Sequence, residues 1–505
     1  MGDRCEGGAV QASARVVETL DVPTTGAASA RGGSPNVAPP RPRVPQRAGE
    51  VIGMGLGIAF IASVARAHDL SNDEFWSLAA GQWMLAHHAF MGLDPFSYTE
   101  SHHRWVTDEW GSEIALAALF RAFGAAAYGL YAIVLGGASL LASAAYARAL
   151  GARGGRVVAI VLLLALGLAG VVAADRGLDF SLVWLPLELL ILTKARASPR
   201  WLFLLPVLCL FWVNTHGSIL LGLLVLGVEL GWSLIPERFV RRIGGLRQST
   251  HTGPLALALL GSLVASCITP YGPGLLAYDI GVSRNGQIAR YIVEWNSPNF
   301  HSVMTLLVYC VPLAVLVACV WLRQIPLLEG TLGVLLFVEA LQTQRLAVYL
   351  MVVAAGAAAA LPARPPWGAR ARRWAGAGLV VVAIVVLAIP AVPAGTVASS
   401  QPARAFDYLG AHPGRIFTEY TWGDYAIARH RATFVDGRTD LFEGRVLSEY
   451  MAVSNLTTNP DPVLAAYHVA YVVWAPRTPL AVYLSRDPRW QVVERSPVAV
   501  VFARR

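Results

Sequence analysis

Two adjacent carboxylates, Asp73 and Glu74, stand in the segment Ser-Asn-Asp-Glu-Phe-Trp directly after the first long apolar run. Ionisable groups are costly at a membrane boundary, so an acidic pair kept beside Trp76 points to proton transfer or a bound cation. Asn72, Asp73 and Glu74 are equally suited to capping a helix through Phe75, Trp76, Leu78 and Trp83, and both readings stand at this stage. A second acidic pair, Asp108-Glu109, closes the same polar stretch within Trp105-Val-Thr-Asp-Glu-Trp110. Two acidic clusters at the ends of one loop can face each other across a cleft; alternatively, Asp108 caps the next helix. Between them lie His87-His88 and His102-His103. Adjacent histidines on a helix diverge and their spacing fits no ligand signature, so they read as surface residues.

The elements that must position these groups are set by composition. Of 505 residues, 55% are hydrophobic and 14% charged, with mean hydropathy +0.51; a soluble chain carries roughly 25% charged residues. Repeated apolar runs predict an α-helical polytopic membrane protein. The spans fall near 51–67, 125–147, 157–173, 180–192, 201–213, 219–234, 255–268, 303–322, 325–340, 346–361 and 375–389, about eleven in all, several shorter than the roughly 20 residues of a straight crossing. The stretch Ile114–Phe123 either lies in the interface or extends the second span. Arginine and lysine cluster in alternate loops, at 148–156, 194–200, 238–247 and 364–373. This alternation puts the N-terminus in the cytoplasm and the C-terminus outside. The net charge of +8 therefore sets orientation and does not indicate a nucleic-acid partner.

Residues 1–49, rich in Gly, Ala, Pro, Ser and Arg, read as a disordered cytoplasmic tail. Residues 50–395 form the membrane domain, whose long first external loop covers 67–112. The five cysteines show no Cys-x-x-Cys spacing and suggest neither a disulfide frame nor a zinc site. The other external turns also gather polar groups: His216 in Asn-Thr-His-Gly, Arg290 and Glu294 in a longer re-entry, and Arg345 after Gln344. Glu188, Glu229 and Glu339 lie within spans, as acids in transporters do.

After Pro393 the charges return. Residues 396–505 predict a small extracytoplasmic α/β domain, with strands near Arg415–Thr418, Ala432–Val435, Val469–Trp474, Gln491–Val493 and Val498–Phe502. Helical stretches are expected near Ala403–Leu409, Tyr425–Arg429 and Pro462–Tyr467. This domain carries Trp422-Gly-Asp424-Tyr425 and Asp436-Gly-Arg438-Thr-Asp440; Asp-Gly is a strong turn pair, and the first motif doubles as a helix cap.

With these motifs the chain resembles the GT-C superfamily of membrane glycosyltransferases. Asp73-Glu74 sits where protein O-mannosyltransferases and lipid A aminoarabinose transferases carry an Asp-Glu pair. Trp422–Tyr425 followed by Arg431–Asp436 is similar to the Trp-Trp-Asp-Tyr-Gly segment of oligosaccharyltransferase, although Gly423 replaces the second Trp and Ala426 the terminal Gly. The resemblance implies inverting transfer of a sugar from a polyprenyl-phosphate donor to a lipid, glycan or protein acceptor outside the cytoplasmic membrane. It implies Asp73 as base with Glu74 and Asp108 in support. It also implies Glu109, His216, Arg290, Arg345, Trp422, Asp424, Tyr425 and Arg438 in substrate binding, and positive charge or a divalent cation at the phosphate. A flippase for lipid-linked glycans, or a polysaccharide polymerase or ligase, shares many of these features.

Overall fold

The structure is a computed structural model and describes residues 46–70, 73–174, 177–246, 251–284, 286, 293–361, 388, 392–393 and 395–505. The N-terminal tail up to residue 45, Arg290, the arginine-rich segment 364–373 and nearly all of the last expected span lie outside the described residues.

Each apolar run from Val51 to Leu361 falls on a helix. These are α1 Gln46–Ala67, α2 Asp73–His87, α3 Trp110–Phe123, α4 Ala126–Ala149, α5 Gly155–Val172, α6 Leu178–Ala195, α7 Leu204–Val213, α8 Ile219–Leu234, α9 Glu237–Arg242, α10 Thr252–Ala265, α11 Gly274–Ser283, α12 Val303–Trp321, α13 Leu327–Gln342 and α14 Ala347–Ala360. Among the described residues, α1 (from Arg47), α4, α5 and α12 are long and apolar enough to cross a membrane. The first helix begins at Gln46, a turn before the expected boundary. There Glu50 accepts from the Gly154 amide at 2.5 Å and from Arg148 Nε at 2.9 Å, which ties the helix start to the α4–α5 turn. Ile114–Phe123 belongs to a helix of its own, ended by Gly124 at φ 57°. The bundle core is a continuous aliphatic cluster running from Ile61 through Leu182, Trp212 and Val225 to Val353. Glu188 and Glu229 are buried within the bundle, while Glu339 is exposed.

From Ala403 onward the chain forms an α/β layer. Helices α15 Ala403–Gly410, α16 Tyr420–Ala428, α17 Arg445–Ser454, α18 Pro460–Ala466 and α19 Pro479–Arg486 surround a four-stranded sheet. A two-residue parallel pair in the bundle supplies β1 (Gly245–Leu246) and β2 (Ile325–Pro326). The sheet then consists of β3 Arg415–Thr418, β4 Val469–Trp474, β5 Trp490–Arg495 and β6 Val500–Arg504, in the order β3-β4-β6-β5. The β3–β4 pair is parallel and the other two are antiparallel. Alternating β-branched and aromatic residues fill the core with Phe417, Phe434, Tyr450, Val472, Trp474 and Phe502.

Ala432–Val435, expected as a strand of this sheet, pairs instead with the first loop. Thr433 donates its amide to Phe96 O at 3.0 Å and accepts from the Tyr98 amide at 3.1 Å. Its apolar residues are buried by α17 and β3, so the ladder partner comes from 335 residues upstream, where Thr99 Oγ1 donates to Phe434 O. The loop start is joined in the same way: Leu70 donates to Thr396 O and accepts from the Ala398 amide, both at 2.9 Å. The first loop is thus stitched to the C-terminal layer at both ends.

Candidate active site

Asp73 opens α2 and is partly exposed, whereas Glu74 is 2% exposed. On a helix these neighbours point about 100° apart, which separates their roles. Glu74, expected in support of Asp73, faces inward, and its Oε1 lies 2.7 Å from His68 Nε2 at the loop entry. Asp73 Oδ1 accepts a long hydrogen bond, 3.3 Å, from the Trp76 indole. Its charge is felt at Tyr420 and Asp424 of α16.

Helix α16 packs directly on α2, with the Phe75 and Tyr425 rings 5.4 Å apart. It reaches this position because Gly423 lies against the chain at Val435: a Cβ there would stand 2.2 Å from Val435 O. The glycine that replaces a tryptophan in the oligosaccharyltransferase-like motif is thus demanded by this crossing. Trp422 is buried, its indole donating to Ser400 O at 3.2 Å, and Tyr425 is wedged between Phe75 and Phe406. Both residues, expected to hold acceptor, are packed here between helices and the Ser400 turn. Asp424 is fully buried; its Oδ1 accepts from the Gly437 amide at 2.6 Å, while Oδ2 has no hydrogen-bond partner. Burial, with Asp436 and Asp73 nearby, raises its carboxyl well above the usual range.

The turn after Asp436 spans two acidic groups. Asp436 stands on the Asp424 side, and Arg438 is enclosed between two carboxylates. It donates to Asp94 Oδ1 at 2.6 Å and, through Nε and Nη2, to Asp436 at 2.7 Å each. Asp94 at the Asp-Pro turn also accepts the amides of Phe96 and Ser97 at 3.0 and 2.8 Å. With a side-chain exposure of 1% and Trp105 under its guanidinium at 4.4 Å, Arg438, expected in substrate binding, joins loop to layer. At the other end of the turn Asp440 accepts from Tyr278 OH of α11.

Asp108 meets this end. Its Oδ2 and Asp279 Oδ1 would stand 2.8 and 2.9 Å from a Cβ on Gly217, so two carboxylates close on one bare Cα. Burial and Asp440 push the Asp108 carboxyl up to about 7, against the opposing pull of Arg345 and the Gly217 amide. Burial, Asp108 and Glu109 push Asp279 up to about 8. Tyr271 fixes the approach, donating from its hydroxyl to Thr107 Oγ1 or accepting from it at 2.5 Å.

His216 is buried beside them. The Ser218 amide donates to its Nδ1 at 3.1 Å, which leaves the proton on Nε2, directed at Glu109 Oε1 3.2 Å away. Burial and Arg345 hold its pKa well below the usual histidine value, so the ring is neutral. Arg345, partly exposed, lies 5.7 Å over the Trp295 ring with Nη2 3.4 Å from His216 Nε2. Among the described residues it has no carboxylate at ion-pair distance.

Two acidic groups thus flank the Asp436–Asp440 turn: Asp73 acts on Asp424 at its start, and Asp108, Asp279 and Arg345 gather with Asp440 at its end. Sequence reasoning missed Asp279 and Tyr278 and gave Asp440 no role. The available signal was an acid inside the apolar run Leu-Leu-Ala-Tyr-Asp-Ile of α11. A divalent cation at this site needs converging donors. Among the described residues no three or more His, Cys, Asp or Glu side chains converge in that way.

No protein-family model matches the chain, and no curated protein matches it by sequence. Solved structures do match. The archaeal oligosaccharyltransferase AglB from Archaeoglobus fulgidus, in complex with an inhibitory peptide and a dolichol-phosphate, aligns with TM-score 0.57 and 12% identity. That alignment covers 84% of this chain and 69% of the other. Apo ArnT from Cupriavidus metallidurans aligns with TM-score 0.52 and 16% identity over 88% of this chain and 96% of its own. ArnT bound to undecaprenyl phosphate gives 0.51 and 14% over 90% and 97%. At these identities the likeness is one of architecture: the chain shares the overall fold of these oligosaccharyltransferase and ArnT structures.

Proposed function

We propose that this chain is an integral membrane glycosyltransferase that moves a sugar, with inversion, from a polyprenyl-phosphate-linked donor to an acceptor outside the cytoplasm. The observation that carries the reading is the gathering of Asp108, Asp279 and Arg345 at Asp440 of the C-terminal turn, with Asp73 acting on Asp424 at the same turn's start, on a fold shared with membrane-embedded transferases. Its structural relatives are seen with dolichol-phosphate and undecaprenyl phosphate. In the reaction Asp73, the partly exposed acid, takes the acceptor hydroxyl proton as the anomeric carbon is attacked. Arg345, held on Trp295, offers its charge to the departing phosphate. Neutral His216 donates to Glu109 beside that guanidinium, and Asp108 lies within reach of its charge.

The alternation of arginine-rich loops favours about eleven spans in the cell membrane, with residues 1–49 cytoplasmic and 396–505 external as an α/β domain. Lipid tails of the donor and of the bilayer then lie against the bundle.

The test is transfer of labelled sugar from a polyprenyl phosphate in membranes carrying the chain. Asp73→Asn preserves shape and capping and is expected to lower transfer by about 10²- to 10⁴-fold. Undiminished transfer in that variant would leave Asp73 a helix cap. Glu188 and Glu229, buried inside the bundle, favour a flippase as second reading; that activity would move the labelled lipid across vesicles without consuming it.

A further inference from the structure

Asp108 and Asp279 arrive from separate elements, the end of the first loop and α11, and close on the Cα of Gly217. Asp279 is 7% exposed and its Oδ2 has no hydrogen-bond partner. A buried ionised oxygen with neither donor nor cation is strongly disfavoured, whereas a protonated one becomes a donor itself. The groups facing the pair come from every packed element. Glu109 precedes α3 and Glu113 lies on it, Tyr278 flanks on α11, Asp440 comes from the C-terminal turn, His216 and Arg345 from the two short turns. His216 is neutral, and among the described residues Arg345 is the cation that acts on Asp108.

We propose that Asp108 and Asp279 share a single proton across Gly217, and that Asp279 is a positioning residue which keeps Asp108 a hydrogen-bond donor toward the phosphate held by Arg345. This role rests on the glycosyl-transfer reading; the shared proton itself does not. In the transfer step the bond from the anomeric carbon to the acceptor oxygen forms as its bond to the phosphate oxygen breaks. The electron pair stays on that phosphate oxygen, which accepts hydrogen bonds from Arg345 and from the acid pair. The acceptor hydroxyl proton goes to Asp73. Two buried carboxylates closing on one glycine cannot both ionise cheaply, which is the same physics that splits the titration of any close acid dyad.

The test uses the full chain in lipid nanodiscs, with carbonyl-labelled aspartate and a chelator, followed by infrared titration of protonated carboxyl groups. Wild type is expected to show an aspartate that loses its proton near neutral pH. Asp279→Asn should move the Asp108 midpoint down by about one pH unit or more, because the like charge is gone. Asp108→Asn provides the reciprocal measurement if the first variant folds poorly. In transfer assays Asp279→Asn should lose turnover at neutral pH and regain it on acidification, which a purely structural lesion does not do. An unchanged midpoint in both variants overturns the proposal. So does loss of the neutral-pH band when manganese replaces the chelator, since the pair would then be a cation site. A wild-type infrared signature without any transfer would defeat the glycosyl-transfer reading while leaving the shared proton in place.

Discussion

Replacing Arg438 by Met should unlatch the first loop from the C-terminal layer. Arg438 donates three side-chain hydrogen bonds to Asp94 and Asp436, and both carboxylates have side-chain exposures of 0%. Methionine restores the volume over Trp105 but leaves two buried anions without their cation. Breaking one partner of such a pair costs about 3–5 kcal/mol. Asp94 keeps the amides of Phe96 and Ser97, and Asp436 keeps the Thr433 hydroxyl at 2.9 Å, so the lower end of that range is expected. Hydrogen exchange reads the effect locally. The Tyr98 and Thr433 amides, which pair across the junction, should exchange about a hundredfold faster, the equivalent of about 3 kcal/mol. Combining Arg438→Met with Asp94→Asn and Asp436→Asn removes the stranded charges and should recover most of the loss. Unchanged exchange in the single variant, or a triple variant as fast as the single, would refute the reasoning.

Further outcomes can be measured independently. Gly423→Ala places a Cβ against Val435 O and is expected to cost about 1–3 kcal/mol through displacement of α16, read as a lower unfolding temperature; a neutral result would mean the crossing is not tight. Asp108 and Asp279 have folded values of about 7 and about 8, against roughly 3.9 when unfolded. The folded chain therefore holds more protons over that interval, and stability should fall as pH rises from about 4 to about 8 and then level off. Asp279→Asn should flatten the profile, and a rise over the same interval would contradict it. Reporter fusions are expected to place the N-terminus in the cytoplasm and residue 505 outside; matching signals from both ends would remove the proposed topology.

The apolar runs were legible because bilayer-length hydrophobicity is a one-dimensional property, and β4 and β6 because their alternation is local. Asp73, Asp108, His216 and Arg345 were legible as polar groups at helix ends, where few structural reasons retain them. Partnerships over long distances were not. Arg438 looked like part of an exposed Asp-Gly turn, yet its partner Asp94 lies 344 residues away. Ala432–Val435 has strand composition, but composition does not say which edge it joins. Glu74 and Asp73 are chemically alike, and only the helical rotation between them sends one to His68 and leaves the other in the site. The packing of Trp422 and Tyr425 was not legible either: a four-residue motif does not say that α16 lays its aromatic rings on Phe75 and Phe406.

The double stitching of the first loop also sets a schedule for biosynthesis. Phe96 and Tyr98 find their backbone partner at Thr433, and the Thr99 hydroxyl waits for Phe434, 335 positions later. At roughly 5–20 residues per second of synthesis, that is an interval of about 20–70 s. For that time the loop leaves the ribosome before anything exists to close its open edge. A nascent chain stopped before Thr433 would carry its bundle helices but expose an unpaired strand beside Trp105 and Phe96, the kind of edge that quality-control factors and aggregation both engage. Late nonsense mutations in this chain should therefore be cleared as misfolded protein, even when every helix of the bundle has been made.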